Sequence, residues 1–189
     1  MTNKKRQLRQ WGKTQRAALS DAYRQRASAK IIEQLFAWIL EIEAAQLLIY
    51  RNLGCEVATE PLFFTPAHHI TPFAPILRHG TMKWLACAPD TTWVDGDFGT
   101  LEPQSNRIWN ADDASITVLA CPLTAFDRQG RRIGMGKGYF DRWLSQYGDG
   151  LCAVVGLAFS CQEVEEVATE PHDQPLQRIF TEKESIPCH

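Results

Sequence analysis

A chain of 189 residues with 44% hydrophobic and 22% charged side chains has the size and usage of one globular domain, 1–189, able to bury about 70% of its unfolded surface. That excludes a disordered tract, a collagen-like repeat and a small disulfide scaffold. The net charge of −2 hides an asymmetry: Lys4, Lys5, Arg6, Arg9, Lys13, Arg16, Arg24, Arg26 and Lys30 crowd the start against Asp21, while Glu163, Glu165, Glu166, Glu170 and Asp173 gather late. A basic start suits a nucleic acid, an anionic membrane or a polyphosphate, and equally a solvated helix face. No apolar run approaches the roughly 20 residues of a membrane helix. Lys4-Lys5-Arg6 leads into polar residues rather than a signal peptide's apolar stretch, so a cytoplasmic protein is expected.

The pattern predicts a basic helix to about Leu19, with a weak stripe of Leu8, Trp11 and Leu19. Ser20-Asp21 opens a second helix that runs to about Glu43. Ile31, Ile32, Leu35, Phe36, Ile39 and Leu40 recur there at helical spacing and should face a core. Ala45 to Tyr50 is a short apolar run and reads as a buried strand. A loop with Asn52, Gly54 and Cys55 leads to Thr59-Glu60-Pro61, a good helix opening. Strands are expected over Thr71–Leu77 and Met82–Ala88, joined around His79-Gly80, with 90–113 mostly loop. Ser115–Cys121, closed by Pro122, is β-branched and apolar and reads as a central strand. After a loop from Asp127 to Gly138 come a helix over Tyr139–Tyr147, a strand over Cys152–Leu157 and a last strand over Arg178–Thr181. Strands alternating with helices predict an α/β sheet with helices on both sides.

The six cysteines, at 55, 87, 121, 152, 161 and 188, form no C-x-x-C pair and read as reduced structural thiols; Cys121 and Cys152 fall within expected buried strands. His68-His69 makes a poor metal site, because adjacent side chains diverge.

The stretch richest in chemistry runs from Asp127 to Arg142. Gly134, Gly136 and Gly138 alternate with Ile133, Met135 and Lys137, beside Arg131 and Arg132. Glycine lets the backbone turn left-handed and approach a ligand, and a helix N-terminus favours an anion. The helix dipole alone supplies only about 0.3–1 kcal/mol at an exposed site, so the cations must do most of the neutralising. A Walker A loop is excluded because Arg131 and Gly138 stand where a glycine and a hydroxyl belong; a dinucleotide fingerprint is excluded because Tyr139 stands at its third glycine. A phosphate cradle and a plain strand-to-helix turn remain. Asp141, in the helix's first turn, is either dipole compensation or a Mg2+ ligand beside a polyphosphate.

Gly130-x-Arg132-Ile133-Gly134-x-Gly136-Lys137-Gly138-Tyr139-Phe140-Asp141-Arg142 resembles the signature of the 5-formyltetrahydrofolate cyclo-ligase (5,10-methenyltetrahydrofolate synthetase) family. Phe140 stands where the family has a second Tyr, and Ile133 where it has Leu. Similar too are Pro122-Leu-Thr-Ala-Phe126-Asp127, Lys5-x-x-Leu8-Arg9, Glu56-Val57-x-Thr59-Glu60, Glu102-Pro103, Gly156-Leu-Ala-Phe159, Gln162, Asp173 and Thr181-Glu182. The likeness spans nearly the whole chain, and the glycine block is its specific part; residues 61 to 100 match loosely.

The resemblance implies a three-layer α/β/α sandwich with a mostly parallel sheet, related to sugar-phosphate isomerases and coenzyme A transferases. It implies ATP- and Mg2+-dependent cyclisation of 5-formyltetrahydrofolate, possible polyglutamylation included, through a phosphorylated formyl group, by a monomer with neither nucleic-acid nor membrane partner. Lys5 and Arg9 would then contact ATP phosphates, residues Arg132, Ile133, Gly134, Met135, Gly136, Lys137, Gly138 and Tyr139 would wrap the triphosphate, and Arg132 and Lys137 would stabilise the transferred phosphoryl group. Asp141 and Asp173 would hold Mg2+. Glu56 and Arg51 would bind the folate, and Tyr139 and Trp84 would line the pterin, with core packing the competing role for Trp84. Two rival readings are a nucleic-acid-binding module built on the basic helices and a sugar-phosphate or thioester enzyme on the same fold.

Overall fold

A computed structural model describes residues 3–64, 69–170 and 173–188; His68 of the His68-His69 pair lies outside them. In chain order the elements are helices α1 (Asn3–Ala17) and α2 (Asp21–Glu41), strand β1 (Gln46–Ile49), a short helix α3 (Pro61–Phe64), strands β2 (Thr71–Arg78), β3 (Thr81–Ala86), β4 (Trp93–Asp95), β5 (Leu101–Pro103), β6 (Thr117–Pro122), β7 (Ala125–Phe126) and β8 (Arg132–Ile133), helix α4 (Tyr139–Tyr147), and strands β9 (Ala153–Leu157), β10 (Arg178–Phe180) and β11 (Ser185–Pro187).

Seven strands form one sheet in the order β11-β10-β9-β6-β1-β2-β3. The five inner strands, β10 to β2, run parallel, and the edges β3 and β11 are antiparallel. Successive strand residues point to opposite faces, and the register turns that rule into two cores. Phe73, Leu48, Leu119 and Val154 align in one row across four strands and share a cluster with Trp143 and Leu144 of α4. Ile49, Ala120 and Val155 form the next row and share a cluster with Ile31, Leu35 and Ile39 of α2. Helices therefore cover both faces. Strands buried on both faces are expected to be continuously apolar rather than alternating, as β9 is and as β1 and β6 are after their first residues, Gln46 and Thr117.

The second helix starts where expected: the Ser20 side chain accepts the Tyr23 N–H. Its fully buried residues, Ile31, Leu35 and Ile39, follow one another at i, i+4 and i+8, each worth about 1.5–3 kcal/mol relative to an exposed position. Leu40, expected to face the core, is instead exposed. It sits one residue beyond Ile39, which turns it about 100° away from the buried face that Ile31, Leu35 and Ile39 share.

The first helix is the reverse case. Its buried residues are Lys5, Gly12 and Arg16, while Trp11 is partly exposed. A Cβ at Gly12 would lie 1.7 Å from the Thr124 carbonyl oxygen, so the helix axis lies closer to the backbone before β7 than any other residue allows. This approach carries the face holding Lys5, Arg9 and Arg16 over the β7–β8 hairpin.

Three expectations are corrected. Residues 90–113 contain the β4–β5 hairpin, whose three-residue strands are too short to show a period. β11 was not expected, being an edge strand with a single buried residue, Ile186. Cys152 is exposed, because the strand begins one residue later at Ala153. No helix among the described residues is long and apolar enough to cross a membrane.

Candidate active site

The glycine-rich segment hangs from the β7–β8 hairpin. Asp127 is fully buried and closes its turn, accepting N–H groups from Gln129 (3.0 Å), Arg131 (3.2 Å) and Val167 (2.8 Å) and the Arg131 Nε (2.6 Å). Beyond β8 the chain needs glycine at two of the three alternating positions: Gly136 has φ 91° and Gly138 φ 67°. These left-handed conformations are strained for residues with a Cβ. Gly134 does not share that need, and a Cβ there would meet nothing within 4 Å, so its smallness leaves open space beside the loop. Gly138 is the N-cap of α4, which places the first-turn N–H groups at the loop's end.

The first helix brings its cations to this loop. Arg9 Nε donates to the Gly134 carbonyl at 2.7 Å, and its guanidinium carbon lies 2.9 Å from where a Cβ of residue 136 would stand. Lys5, 5% exposed, pairs with Glu170 at 2.8 Å and Asp173 at 2.5 Å. Burial pulls the Lys5 pKa down, and the hydrogen bonds to the two carboxylates more than reverse this, holding it above the ordinary lysine value. Arg132 Nη2 pairs with Asp141 at 2.7 Å, and its Nη1 donates to the Gln174 carbonyl. Two expected phosphate-binding cations are thus each paired with an expected metal-binding carboxylate.

Lys5, Arg9, Arg132, the 134–138 loop, Asp141, Glu170 and Asp173 line one cavity of about 700 Å3, within the range of ordinary ligand sites. Its loop end is cationic, with Lys13 and Arg142 joining Lys5, Arg9, Arg132 and Lys137. The rest of its lining is largely apolar, with Pro75, Leu77, Met82, Leu101, Tyr139 and Phe140. Glu56 also lines the cavity, buried, accepting the Leu53 N–H at 2.9 Å and facing Arg16 of α1 at 3.5 Å. Burial raises its carboxyl pKa more than the Leu53 N–H and Arg16 lower it. Arg51, also on the wall, pairs with Glu60 and stacks on Trp93 at 4.6 Å.

The expected site residues meet in this cavity except Arg131, which pairs with Asp127 and Glu166 outside it, and Trp84. Trp84, expected to line the pterin, is 1% exposed and packs edge-on against Trp143 (5.7 Å) and Phe140 (6.1 Å); it is a core residue because β3 turns it toward α4. Sequence reasoning missed Lys13, Glu170, Arg142, Met82 and Phe98. Lys13 could have been found, since it follows Arg9 by one helical turn. Phe98 gives no signal, because its segment has no period.

No cysteine among the described residues lines the cavity. No cluster of three metal-ligating side chains occurs among the described residues. The arrangement can bind an anion and an apolar ring system side by side and stabilise charge passing between them.

The chain matches the sequence model of the 5-formyltetrahydrofolate cyclo-ligase family over residues 1–182. It is 30% identical to the 5-formyltetrahydrofolate cyclo-ligase of Haemophilus influenzae over 95% of this chain and 98% of that one, and 27% identical to the enzyme of the same name from Escherichia coli K12 over 88% and 93%. The NMR structure of Aquifex aeolicus 5,10-methenyltetrahydrofolate synthetase superposes with a TM-score of 0.83 at 28% identity, covering 97% of this chain and 92% of the other. The Mycoplasma pneumoniae synthetase, at 23% identity, shares the fold with a TM-score of 0.73 over 94% and 98%. With a family match spanning the glycine loop, the cationic helix and the sheet that carries them, this chain belongs to the 5-formyltetrahydrofolate cyclo-ligase family, enzymes that form a carbon–nitrogen bond.

Proposed function

We propose that the protein cyclises 5-formyltetrahydrofolate to 5,10-methenyltetrahydrofolate at the expense of ATP, with Mg2+, releasing ADP and phosphate. The observation that carries the reading is the convergence of α1 cations and the glycine-rich loop on one cavity whose lining is otherwise largely apolar and includes a buried carboxylate, Glu56. A formyl oxygen is a poor leaving group. It attacks the γ-phosphorus, an O–P bond forms, and the bond to ADP breaks. N10 then attacks the activated carbon and gives up its proton to solvent, and the C–O bond breaks to release phosphate.

The protein's share is positioning and charge stabilisation. Lys5, Arg9 and the 132–139 backbone bind the triphosphate, and Arg132 and Lys137 face the charge on the moving phosphoryl group. Asp141 and Asp173 fit Mg2+, which usually takes one or two carboxylates with phosphate oxygens and water; bound there, it neutralises phosphate charge. Both carboxylates now face a cation suited to phosphate, so the arriving triphosphate and its counterion can exchange with these partners without stranding a buried charge. Glu56 accepts hydrogen bonds from pterin N–H groups, Arg51 binds beside it, and Tyr139 lines the ring. The same reading takes the protein as a cytoplasmic monomer and keeps the fold kinship with sugar-phosphate isomerases and coenzyme A transferases. The nucleic-acid alternative finds less support, because α1 turns Lys5, Arg9 and Arg16 inward.

The test mixes protein, ATP, Mg2+ and 5-formyltetrahydrofolate and follows methenyl-product absorbance. Product formed only when all are present supports the reading; no product at micromolar enzyme contradicts it.

A further inference from the structure

The β4–β5 hairpin carries the Glu102-Pro103 pair, a feature of the sequence to which no role has been attached. Glu102 is 1% exposed. Its Oε1 accepts the Leu77 N–H at 2.8 Å, and its other oxygen pairs with Arg78, so the hairpin is tied to β2 through a buried carboxylate. Gly96 lies directly over that side chain: a Cβ there would stand 2.5 Å from Glu102 Cγ and Cδ. These contacts fix the tip, Asp97–Gly99, and what the tip presents is Phe98.

Phe98 combines three features that a plain loop residue does not. Its backbone is left-handed, φ 61° and ψ 22°, a conformation that costs a residue with a Cβ and that gathers at functional sites. Its ring is 57% exposed yet lines the cavity. It also sits against the catalytic loop: the Lys137 ammonium lies 4.9 Å from its centroid, and the Tyr139 ring lies 6.1 Å away, with Arg142 5.0 Å from the Tyr139 ring. A cation held over an aromatic face is attracted by the ring quadrupole, and paired aromatics offer a flat apolar wall.

We propose that Phe98 is a specificity-determining and positioning residue for the folate: with Tyr139 it forms the wall on which the substrate's flat ring system lies, and it holds Lys137 at the junction between that ring and the triphosphate. The proposal rests on the reading of the reaction given above. The strain at Phe98 is retained because the hairpin must present a ring, not a bare turn, to the cavity.

The test uses Phe98→Gly, Phe98→Tyr and Phe98→Trp in the full chain. Glycine accepts φ 61° without strain, so F98G should melt at or above the wild-type temperature. Its Kd for 5-formyltetrahydrofolate, measured by equilibrium dialysis without ATP, should rise about tenfold or more. In turnover its KM for the folate should rise similarly while its KM for ATP stays within about twofold. The tyrosine or tryptophan variant should recover most of the folate affinity. Wild-type-like folate Kd and KM in F98G, or failure of both aromatic variants to improve on it, would overturn the proposal. Wild-type protein that binds the folate but forms no methenyl product would instead sink the reaction while leaving the wall to be judged on the dialysis data; wild-type protein that binds no folate would end both.

Discussion

Consecutive helices of this chain bury opposite kinds of surface. The second packs Ile31, Leu35 and Ile39 against the sheet, whereas the first packs Lys5, Gly12 and Arg16 inward and leaves Trp11 partly exposed. Apolar burial stabilises a fold directly. Burying a cation costs several kcal/mol before its partners offset it, and for Lys5 those partners are Glu170 and Asp173, whose hydrogen bonds outweigh the effect of burial. On the proposed function, a helix that accepts that cost, and gives up a Cβ at Gly12 to come closer, is positioned for an anion rather than for stability. The contrast then divides the chain: α2 makes the fold and, on the proposed reading, α1 makes the site.

Four variants can break or sharpen that division. Leu35→Ala should destabilise the protein by about 2–5 kcal/mol, read as a lower urea midpoint, while turnover per folded molecule is unchanged; a variant of wild-type stability would deny α2 its role. Lys137→Ala should lower turnover by about 100- to 1,000-fold, the range for losing one preorganised charge-stabilising group, about 2.7–4 kcal/mol. Its melting temperature should not change, because Lys137 is exposed; full activity would remove its assigned role. Gly12→Ala drives a Cβ into the Thr124 carbonyl, and overpacking of this kind costs about 1–3 kcal/mol. The shift of α1 should also raise the KM for ATP more than that for the folate, since Lys5 and Arg9 move with the helix; equal effects on both would contradict the division.

Glu56→Gln gives the smallest stability effect and a definite sign. Burial raises the folded-state pKa of Glu56, so its contribution to stability is fully present below its unfolded value of about 4.3 and is lost as pH rises through the raised value. Wild-type stability relative to E56Q should therefore fall as pH rises from about 4 toward neutrality. A difference that does not change with pH, measured by urea midpoints, would show that burial does not govern this carboxylate. Weaker folate binding by E56Q at neutral pH would complete the picture of a charge kept for recognition at some cost to the fold.

Legibility in the sequence followed the strength of the local physical demand. β1, β6, β9 and α2 were readable because two-sided burial and a helical stripe each leave an unambiguous pattern. The glycine loop was readable because Gly136 and Gly138 answer a backbone requirement that no other residue meets easily, although Gly134 turned out to serve space rather than conformation. The β4–β5 hairpin escaped notice because it is pinned by one buried carboxylate, Glu102, instead of by a hydrophobic period. Nothing local distinguishes Trp84, whose competing core role holds because β3 turns it toward α4, from Phe98, which a strained turn holds beside Lys137 in the cavity lining. The pairing of Lys5 with Asp173 joins residues from opposite ends of the chain, and only the tertiary fold reveals it.

The central claim is that α1 and the glycine-rich loop together receive a nucleotide's phosphates. A crystal structure of the protein with a non-hydrolysable ATP analogue and Mg2+ tests it directly. The account predicts phosphate oxygens within hydrogen-bonding distance of the 134–138 backbone N–H groups and of Arg9, with Lys5 turned from Asp173 toward phosphate. Phosphates bound elsewhere, with the Lys5–Asp173 and Arg132–Asp141 pairs intact beside an empty loop, would contradict it.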